Sequence, residues 1–517
     1  MTEWDRRRFL GWGAGAAATI GLAACGRSPS HSTSPSPSST VAPKPAEPTD
    51  WATLRHALSG PLLLPDDVGY ATAIQLFDSR YDSVRPAALA RCQTPSDIQR
   101  CIAFARAHGL APIPRSGGHS YGGYSTGPGL VIDVAGMSAV QSGVPVTVGA
   151  GALHVDVYRG LNADGMSIPA GSCPTVGIAG LTLGGGLGVV GRRYGLACDA
   201  LTSVTMVTAD SVMRTVDASH DAELFWACRG GGGGNFGIVT SFRFTPFTTG
   251  DITLVSLSWP WAAASQVLPA WLEWAPHAPD PLWSNLVLQT LPDRPGPIVH
   301  VGVVWSGTPS DLTPLLRGLD TATGSSGATQ YNETTSFAHA MLVEAGCSTL
   351  NAASCRLQTQ NGSLPRTPTL AKSDYLDRPL NDAGVAAFLA GIDHRRSEGT
   401  TAALGFDAYG GAINRVAADA TAFVHRSSLA TVQYNVDFDP GTSTTELAAD
   451  QAFLDQWYAT LRPHVSGAAY QNHIDPRLTG WAHAYYGQNL SRLQQVKATV
   501  DPENVFRFAQ SIPLPPP

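Results

Sequence analysis

Apolar positions along this chain follow two periods, and the places where each one runs predict the elements. Over 94–109, Ile98, Cys101, Ile102, Phe104 and Ala105 recur at helical spacing on one face. Thr94 supplies a cap, Pro95 opens the first turn, Asp97 completes a capping box, and Gly109 ends the helix. Short runs at 111–114, 130–134, 144–148, 199–208 and 238–244 predict strands, and 154–163 predicts a second helix. Together they make one mixed α+β unit over 51–247.

Past 250 the pattern changes. Strand-like runs at 252–257, 286–291, 298–305 and 430–436 alternate with helices at 262–275 and 445–461. That alternation predicts a second unit, 248–465, built as an antiparallel sheet with helices on one face. It is the expected substrate-binding unit, and no residue pattern in it names a substrate. A closing stretch, 466–517, predicts a helix at 489–499 and a turn at Asp501-Pro502-Glu503-Asn504. No internal repeat is present.

The first fifty residues read as an address. Arg6-Arg7-Arg8-Phe9-Leu10 precedes a soft apolar stretch from 11 to 24, the layout of an export signal over 1–25. The Arg-Arg-x-Phe-Leu core resembles the twin-arginine type, and Leu22-Ala23-Ala24-Cys25 resembles a lipobox whose Cys25 is lipidated. A short uncleaved membrane anchor is the alternative. Residues 26–50 are Ser/Pro-rich and predict an extended linker. The expected location is extracytoplasmic, with membrane contact through the lipid anchor alone. No later uncharged apolar run reaches the ~20 residues that span a bilayer.

Charge and cysteines narrow the classes. With 33 Lys+Arg against 40 Asp+Glu, the net charge of −7 argues against a basic nucleic-acid footprint over the chain. Of eight cysteines, seven remain once Cys25 is set aside, so at least one stays unpaired or modified. Cys92 with Cys101, or Cys347 with Cys355, are spaced for local disulfides, and the connectivity stays open. The spacings do not resemble a zinc site, and no metal is expected.

Three glycine-rich segments, among 54 glycines in all, are candidate chemistry: Arg115-Ser116-Gly117-Gly118-His119-Ser120, the run 184–188, and the run 229–237. Successive N–H groups without Cβ atoms make concave anion sites, although turns and bulges use the same residues. Neither a Gly-x4-Gly-Lys phosphate loop nor a Rossmann fingerprint is present.

His119 and Cys173 gain meaning from their neighbours. The segment 115–120 and the run from Gly171 through Gly177, Gly180 and Gly184 to Gly188 closely resemble the berberine-bridge-enzyme-like flavoproteins, which share the vanillyl-alcohol-oxidase (PCMH) type of FAD-binding fold. Tyr194-Gly195-Leu196 with Asp199, the run 224–237, and Arg492, Lys497, Asp501-Pro502, Asn504 and Gln510-Ser511-Ile512 extend the likeness over nearly everything after Pro65. The resemblance implies an α+β fold whose FAD domain is completed by the C-terminal segment. It implies FAD held bicovalently, by His119 at the 8α-methyl and Cys173 at C6, with Arg115, Ser116, Gly117, Gly118, Ser120, Gly177, Gly180, Gly184, Gly188, Gly237, Ile238 and Asn472 around it. Imidazole nitrogen and thiolate are both nucleophiles able to make such bonds.

Tyr470-Gln471-Asn472-His473-Ile474-Asp475 resembles the family's Tyr-x-Asn-Tyr/His-x-Asp motif and implies Tyr470 as the base, with His473 the runner-up and Asp407 an assistant. A Tyr with pKa near ~10 needs help to act near neutrality. Arg415 matches the position where the plant alkaloid-forming members carry a catalytic Glu, which turns the expectation toward simple alcohol oxidation. Val176, three residues after Cys173, implies access for oxygen. The expected protein is therefore an exported oxidase passing hydride from an alcohol, of a carbohydrate or a natural product, to FAD that O2 reoxidises with release of H2O2. A dehydrogenase using another acceptor and a non-catalytic flavin carrier are the alternatives.

Overall fold

The computed structural model describes residues 48–439 and 441–516, so the export signal, Cys25 and nearly all of the linker lie outside the described residues. The helix Pro95–Ala107 starts as its sequence dictates: Thr94 Oγ1 accepts from Asp97 N at 3.2 Å, and Asp97 Oδ2 accepts from Thr94 N at 3.1 Å. It packs beside a four-stranded sheet of β1 (Leu62–Leu63), β2 (Ala88–Arg91), β3 (Pro112–Arg115) and β4 (Leu130–Asp133), in the order β1-β2-β4-β3. β2, β4 and β3 run parallel.

β5 (Val140–Gln141), β6 (Val146–Gly149), β7 (Met166–Ser167), β8 (Leu201–Val207), β9 (Met213–Asp217) and β10 (Ile238–Phe244) follow. All but β7 form an antiparallel sheet of order β5-β6-β10-β8-β9, while β7 pairs with β11 (Phe247–Thr248). One apolar cluster, with Ile98, Ile132, Val148, Val204 and Phe242 buried in it, runs through both sheets.

The third sheet has seven antiparallel strands: β12 (Asp251–Trp259), β13 (Leu282–Thr290), β14 (Ile298–Trp305), β15 (Ala328–Ser336), β16 (Thr369–Leu376), β17 (Ala402–Ala408) and β18 (Ala430–Asp437). Their order is β15-β12-β14-β13-β17-β18-β16. Helices Ala264–His277, Pro309–Thr323, Asp382–Glu398 and Thr444–Leu461 bury their apolar sides against one face of it. Where the sequence predicts a strand at 286–291, the strand is Leu282–Thr290, bounded by Pro281 and Pro292, and its first half, Leu-Trp-Ser-Asn, shows no clean apolar period. The pattern gave no sign of β15, an edge strand with exposed residues on both faces and hence no apolar period.

The C-terminal segment returns to the first unit. Buried Lys497, on the helix Leu490–Val500, donates to Asn235 O at 2.7 Å, Phe506 O at 2.6 Å and Asp501 Oδ2 at 2.6 Å. Asn235 Oδ1 accepts from Ile512 N at 2.8 Å, so the tail clamps the glycine loop 230–237. Cys347 and Cys355 form a disulfide with Cα atoms 5.9 Å apart, while Cys92 and Cys101 are free thiols with their sulfurs 4.0 Å apart.

Candidate active site

A cavity of about 680 Å³ lies between the glycine-rich loops and the bare face of the seven-stranded sheet. Its floor is backbone. A Cβ on Gly117 would sit 2.3 Å from Gly177 N, and one on Gly177 would sit 2.2 Å from Ser116 Oγ, so two loops meet main chain to main chain. At Gly180 a Cβ would meet nothing within 4 Å, because that face opens on the cavity. Of the residues the sequence assigned to catalysis or cofactor, all line this cavity except Gly184. A Cβ on Gly184 would lie 2.0 Å from Asn472 Oδ1, which makes it a packing position for that side chain.

The Arg115 guanidinium is directed at main chain, giving Nη1 to Ala73 O at 2.8 Å and Nε to Ser125 O at 3.0 Å, so it braces the loop. Ser116 Oγ donates to Ala150 O at 2.7 Å, and Ser120 Oγ accepts from Tyr124 N at 3.2 Å. His119 stacks on Phe77 with centroids 4.1 Å apart, and its Nε2 is 2.9 Å from Thr175 Oγ1. The same hydroxyl is 3.8 Å from Cys173 Sγ, so Thr175 joins the two candidate tethers.

Burial, with His154 nearby, pushes His119 down to about 3 and keeps its imidazole neutral. Burial raises the Cys173 thiol, against opposing hydrogen bonds from Thr175 and Val176. His154 escaped the sequence reading. Its Nδ1 lies 2.9 Å from Cys173 O, while its buried Nε2 has no hydrogen-bond partner at the cavity wall.

Tyr470 is 3 % exposed, and its Oη accepts from Gly186 N at 3.0 Å, Leu187 N at 3.3 Å and Asn472 Nδ2 at 2.8 Å. Burial pushes its pKa up to about 12 against these three donors, which pull the other way. His473 meets the Tyr470 ring edge-on at 5.0 Å and is driven down to about 4 by burial, leaving Nδ1 neutral and unpartnered. Asp475 does not reach the cavity; its ion pair with Lys372 at 2.7 Å anchors the segment that carries Tyr470.

The opposite wall is side chain. Along β18, Ala430, Val432, Tyr434 and Val436 face the helices, while Gln433, Asn435 and Asp437 face the cavity. Trp283, Asn285 and Gln289 of β13 and Asp407 of β17 continue that polar face. The period-two alternation at 430–437 separates the cavity-facing residues from those packed on the helices, and it names no substrate. Glu344, at the end of the helix Phe337–Glu344, also lines it and was missed. Arg415 is corrected. It lies outside the cavity, largely exposed and paired with Asp280 at 2.6 Å, whereas Asp407 lines the cavity.

Residues 86–217 match the family described as FAD binding domain, and residues 469–513 match Berberine and berberine like. The chain is 33% identical over 467 residues to the uncharacterized FAD-linked oxidoreductase YgaK of Bacillus subtilis (strain 168), spanning 88% of this chain and 97% of that one. Among solved structures it resembles Physcomitrella patens BBE-like 1 with a TM-score of 0.82 and 29% identity, over 90% of this chain and 100% of that chain. A variant of Phl p 4 described as a glucose oxidase gives a TM-score of 0.77 at 26% identity, over 88% of this chain and 97% of that chain. The cavity suits the cofactor those likenesses require: a glycine floor admits close approach, and Gly180 is open. The chain belongs to the berberine-bridge-enzyme-like family of FAD-linked oxidoreductases.

Proposed function

We propose that this FAD-dependent oxidoreductase is an exported oxidase of alcohols, with FAD joined to both His119 and Cys173, and that it turns a CH–OH group and O2 into a carbonyl and H2O2. The observation that carries the reading is the pairing of two walls. The neutral imidazole of His119 and the thiol of Cys173 share Thr175 on one side, and a face of amides and carboxyls suited to hydroxyl groups lies opposite. Bound FAD supplies the two-electron acceptor for the hydride leaving the substrate carbon.

The protein's own residues orient the alcohol and take its proton. Gln433, Asn435 and Asn285 offer donors and acceptors to hydroxyls, and Asn435 Oδ1 and Trp283 Nε1 are buried without partners. Tyr470 is the proposed base. Three N–H donors converge on its oxygen, more than a phenol accepts comfortably, and so favour the phenolate that proton abstraction requires. His473, neutral with a free Nδ1, is the second choice. Val176 leaves room beside Cys173 for oxygen. Arg6, Arg7 and Arg8 direct export after folding, and Cys25 carries the lipid.

Acid-precipitated protein should stay yellow. His119→Ala and Cys173→Ala should each leave one tether, and the double variant should release all its flavin. Flavin that washes out of the unmodified protein overturns the covalent claim. Oxygen uptake with H2O2 formation on a panel of sugars and alcohols tests the oxidase claim, and flavin bleaching without oxygen uptake would make the protein a dehydrogenase. Lys at positions 6, 7 and 8 should keep holoprotein inside the cell, and Cys25→Ala should free the exported form from the membrane; normal delivery of both rejects the export reading.

A further inference from the structure

Thr175 is fully buried, and its Oγ1 has two hydrogen-bond neighbours among the described residues: His119 Nε2 at 2.9 Å and Cys173 Sγ at 3.8 Å. The main chain on both sides of it is pinned. Pro174 O accepts from Val155 N at 3.1 Å and Val176 O from His154 N at 3.0 Å, both at the start of the helix His154–Asn162. Phe77, stacked on the imidazole, fixes the plane of the His119 ring. One buried hydroxyl thus meets two nucleophiles in set directions.

A hydroxyl carries one proton, so it donates to one of these neighbours and accepts from the other. The attacking form of a cysteine is the thiolate, which only accepts. The Thr175 proton therefore goes to Cys173 Sγ. The lone pair left on the oxygen faces His119, which must then carry its own proton on Nε2, and that tautomer frees the Nδ1 lone pair for a bond. Burial keeps the ring neutral by pushing it down to about 3, and the hydrogen bond from Thr175 opposes the burial that raises the Cys173 thiol. A single side chain holds both nucleophiles in their attacking forms together.

We propose that Thr175 is the positioning residue for flavin attachment, and that its one hydroxyl readies both tethers, giving its proton to Cys173 and accepting that of His119. The inference rests on the covalent reading and names the group that prepares it. At His119 a C–N bond forms while one C–H of the 8α-methyl and the imidazole N–H break. At Cys173 a C–S bond forms while the C6–H and the S–H break. The two electrons and two protons released each time pass into the ring system of FAD, and O2 removes them as H2O2.

The test reads attachment, not turnover. Full-length protein is collected at intervals after induction, precipitated with acid, digested and weighed by mass spectrometry. The masses separate flavin on the His119 peptide, flavin on the Cys173 peptide, and the two peptides joined through one flavin. Thr175→Val keeps the shape and loses the hydroxyl, so both bonds should form ~10–100-fold more slowly, the worth of one hydrogen bond to a group that is or becomes charged. Thr175→Ser should attach flavin at the parent's rate. Attachment at the parent's rate in Thr175→Val overturns the proposal. So does slow attachment in Thr175→Ser, which would assign the effect to packing of the methyl group. Thr175→Ala against Thr175→Ser repeats the comparison without the branched side chain, which keeps the result readable if the Val variant folds poorly. A parent with no covalent flavin at any time rejects the covalent reading, and the role of Thr175 falls with it; a tethered parent indifferent to Thr175 rejects the inference alone.

Discussion

The two walls of the cavity are specified by opposite means. Around His119 and Cys173 the wall is main chain, and its shape depends on missing Cβ atoms: Gly117 and Gly177 touch through their backbones, and Gly188 approaches Ala170 O so closely that a Cβ would lie 1.9 Å away. The seven-stranded sheet opposite has a regular backbone, and its character comes from which side chains point inward, with unpartnered polar atoms at Trp283 and Asn435. A cofactor common to a family is thus held by a surface that tolerates almost no substitution. A substrate is met by a surface that can be rewritten without disturbing the strands.

The sharpest way to break that contrast is to add a methyl group to the backbone wall. Gly177→Ala places a Cβ 2.2 Å from Ser116 Oγ and 2.3 Å from Gly117 N, which forces the two loops apart. Purified protein should be colourless, with FAD content below about a tenth of the normal value. Gln433→Leu on the sheet should stay fully yellow. Normal flavin in Gly177→Ala would show that the backbone contact does not shape the cofactor site.

Tyr470→Phe sits where the walls meet. It keeps the ring and removes only the oxygen that accepts from Gly186, Leu187 and Asn472. Stopped-flow flavin reduction should slow by ~10²–10⁴ with FAD content intact. Asn472→Leu removes one donor and should slow it by ~10–100-fold, the worth of one hydrogen bond to a charged group. Reduction at the normal rate in Tyr470→Phe, with His473→Ala slowed, transfers the role to His473.

Legibility in the sequence follows the same division. Glycine motifs are contiguous, so His119, Cys173 and their neighbours could be read from short stretches, and the capping box at Thr94 and Asp97 fixed a helix start. The substrate wall draws on β13, β17, β18 and the end of the helix Phe337–Glu344, far apart in the chain and joined only by strand order. Alternation at 430–437 tells which residues share a face, yet not what that face opposes. Glu344 had no signal at all, because it joins the wall from a helix end, 63 positions before Asp407. Arg415 shows the converse: a motif position read in line with its neighbours, turned by local geometry toward Asp280 at the surface.

Substitutions on the sheet should act on substrate more than on cofactor. Gln433 donates to Tyr121 Oη at 3.2 Å and presents its amide to the cavity. Gln433→Leu should raise KM by ~3–10-fold with kcat little changed, as expected from losing about 1 kcal/mol of uniform binding. A fall in kcat with KM unchanged would instead tie Gln433 to the chemical step through Tyr121.

The smallest effect is the most specific to the sheet wall, and it is read in stability. Asp407 is pushed from the ordinary aspartate value of 3.8 up to about 7 by burial. The folded protein therefore keeps a proton that the unfolded chain gives up, and ionising Asp407 costs stability. By linkage that cost is absent below the unfolded value and complete above the folded one. Asp407→Asn should accordingly melt with the parent at about pH 4 and a few degrees above it at about pH 8, for a gain of about 1–2 kcal/mol, since the carboxyl still faces the cavity. Buried His119, His154 and His473, lowered to about 3, 4 and 4, destabilise both proteins alike as the pH falls below the ordinary histidine value, so they drop out of the difference. A Tm lower than the parent's at about pH 8 would mean that the Asp407 carboxylate has a stabilising cationic partner.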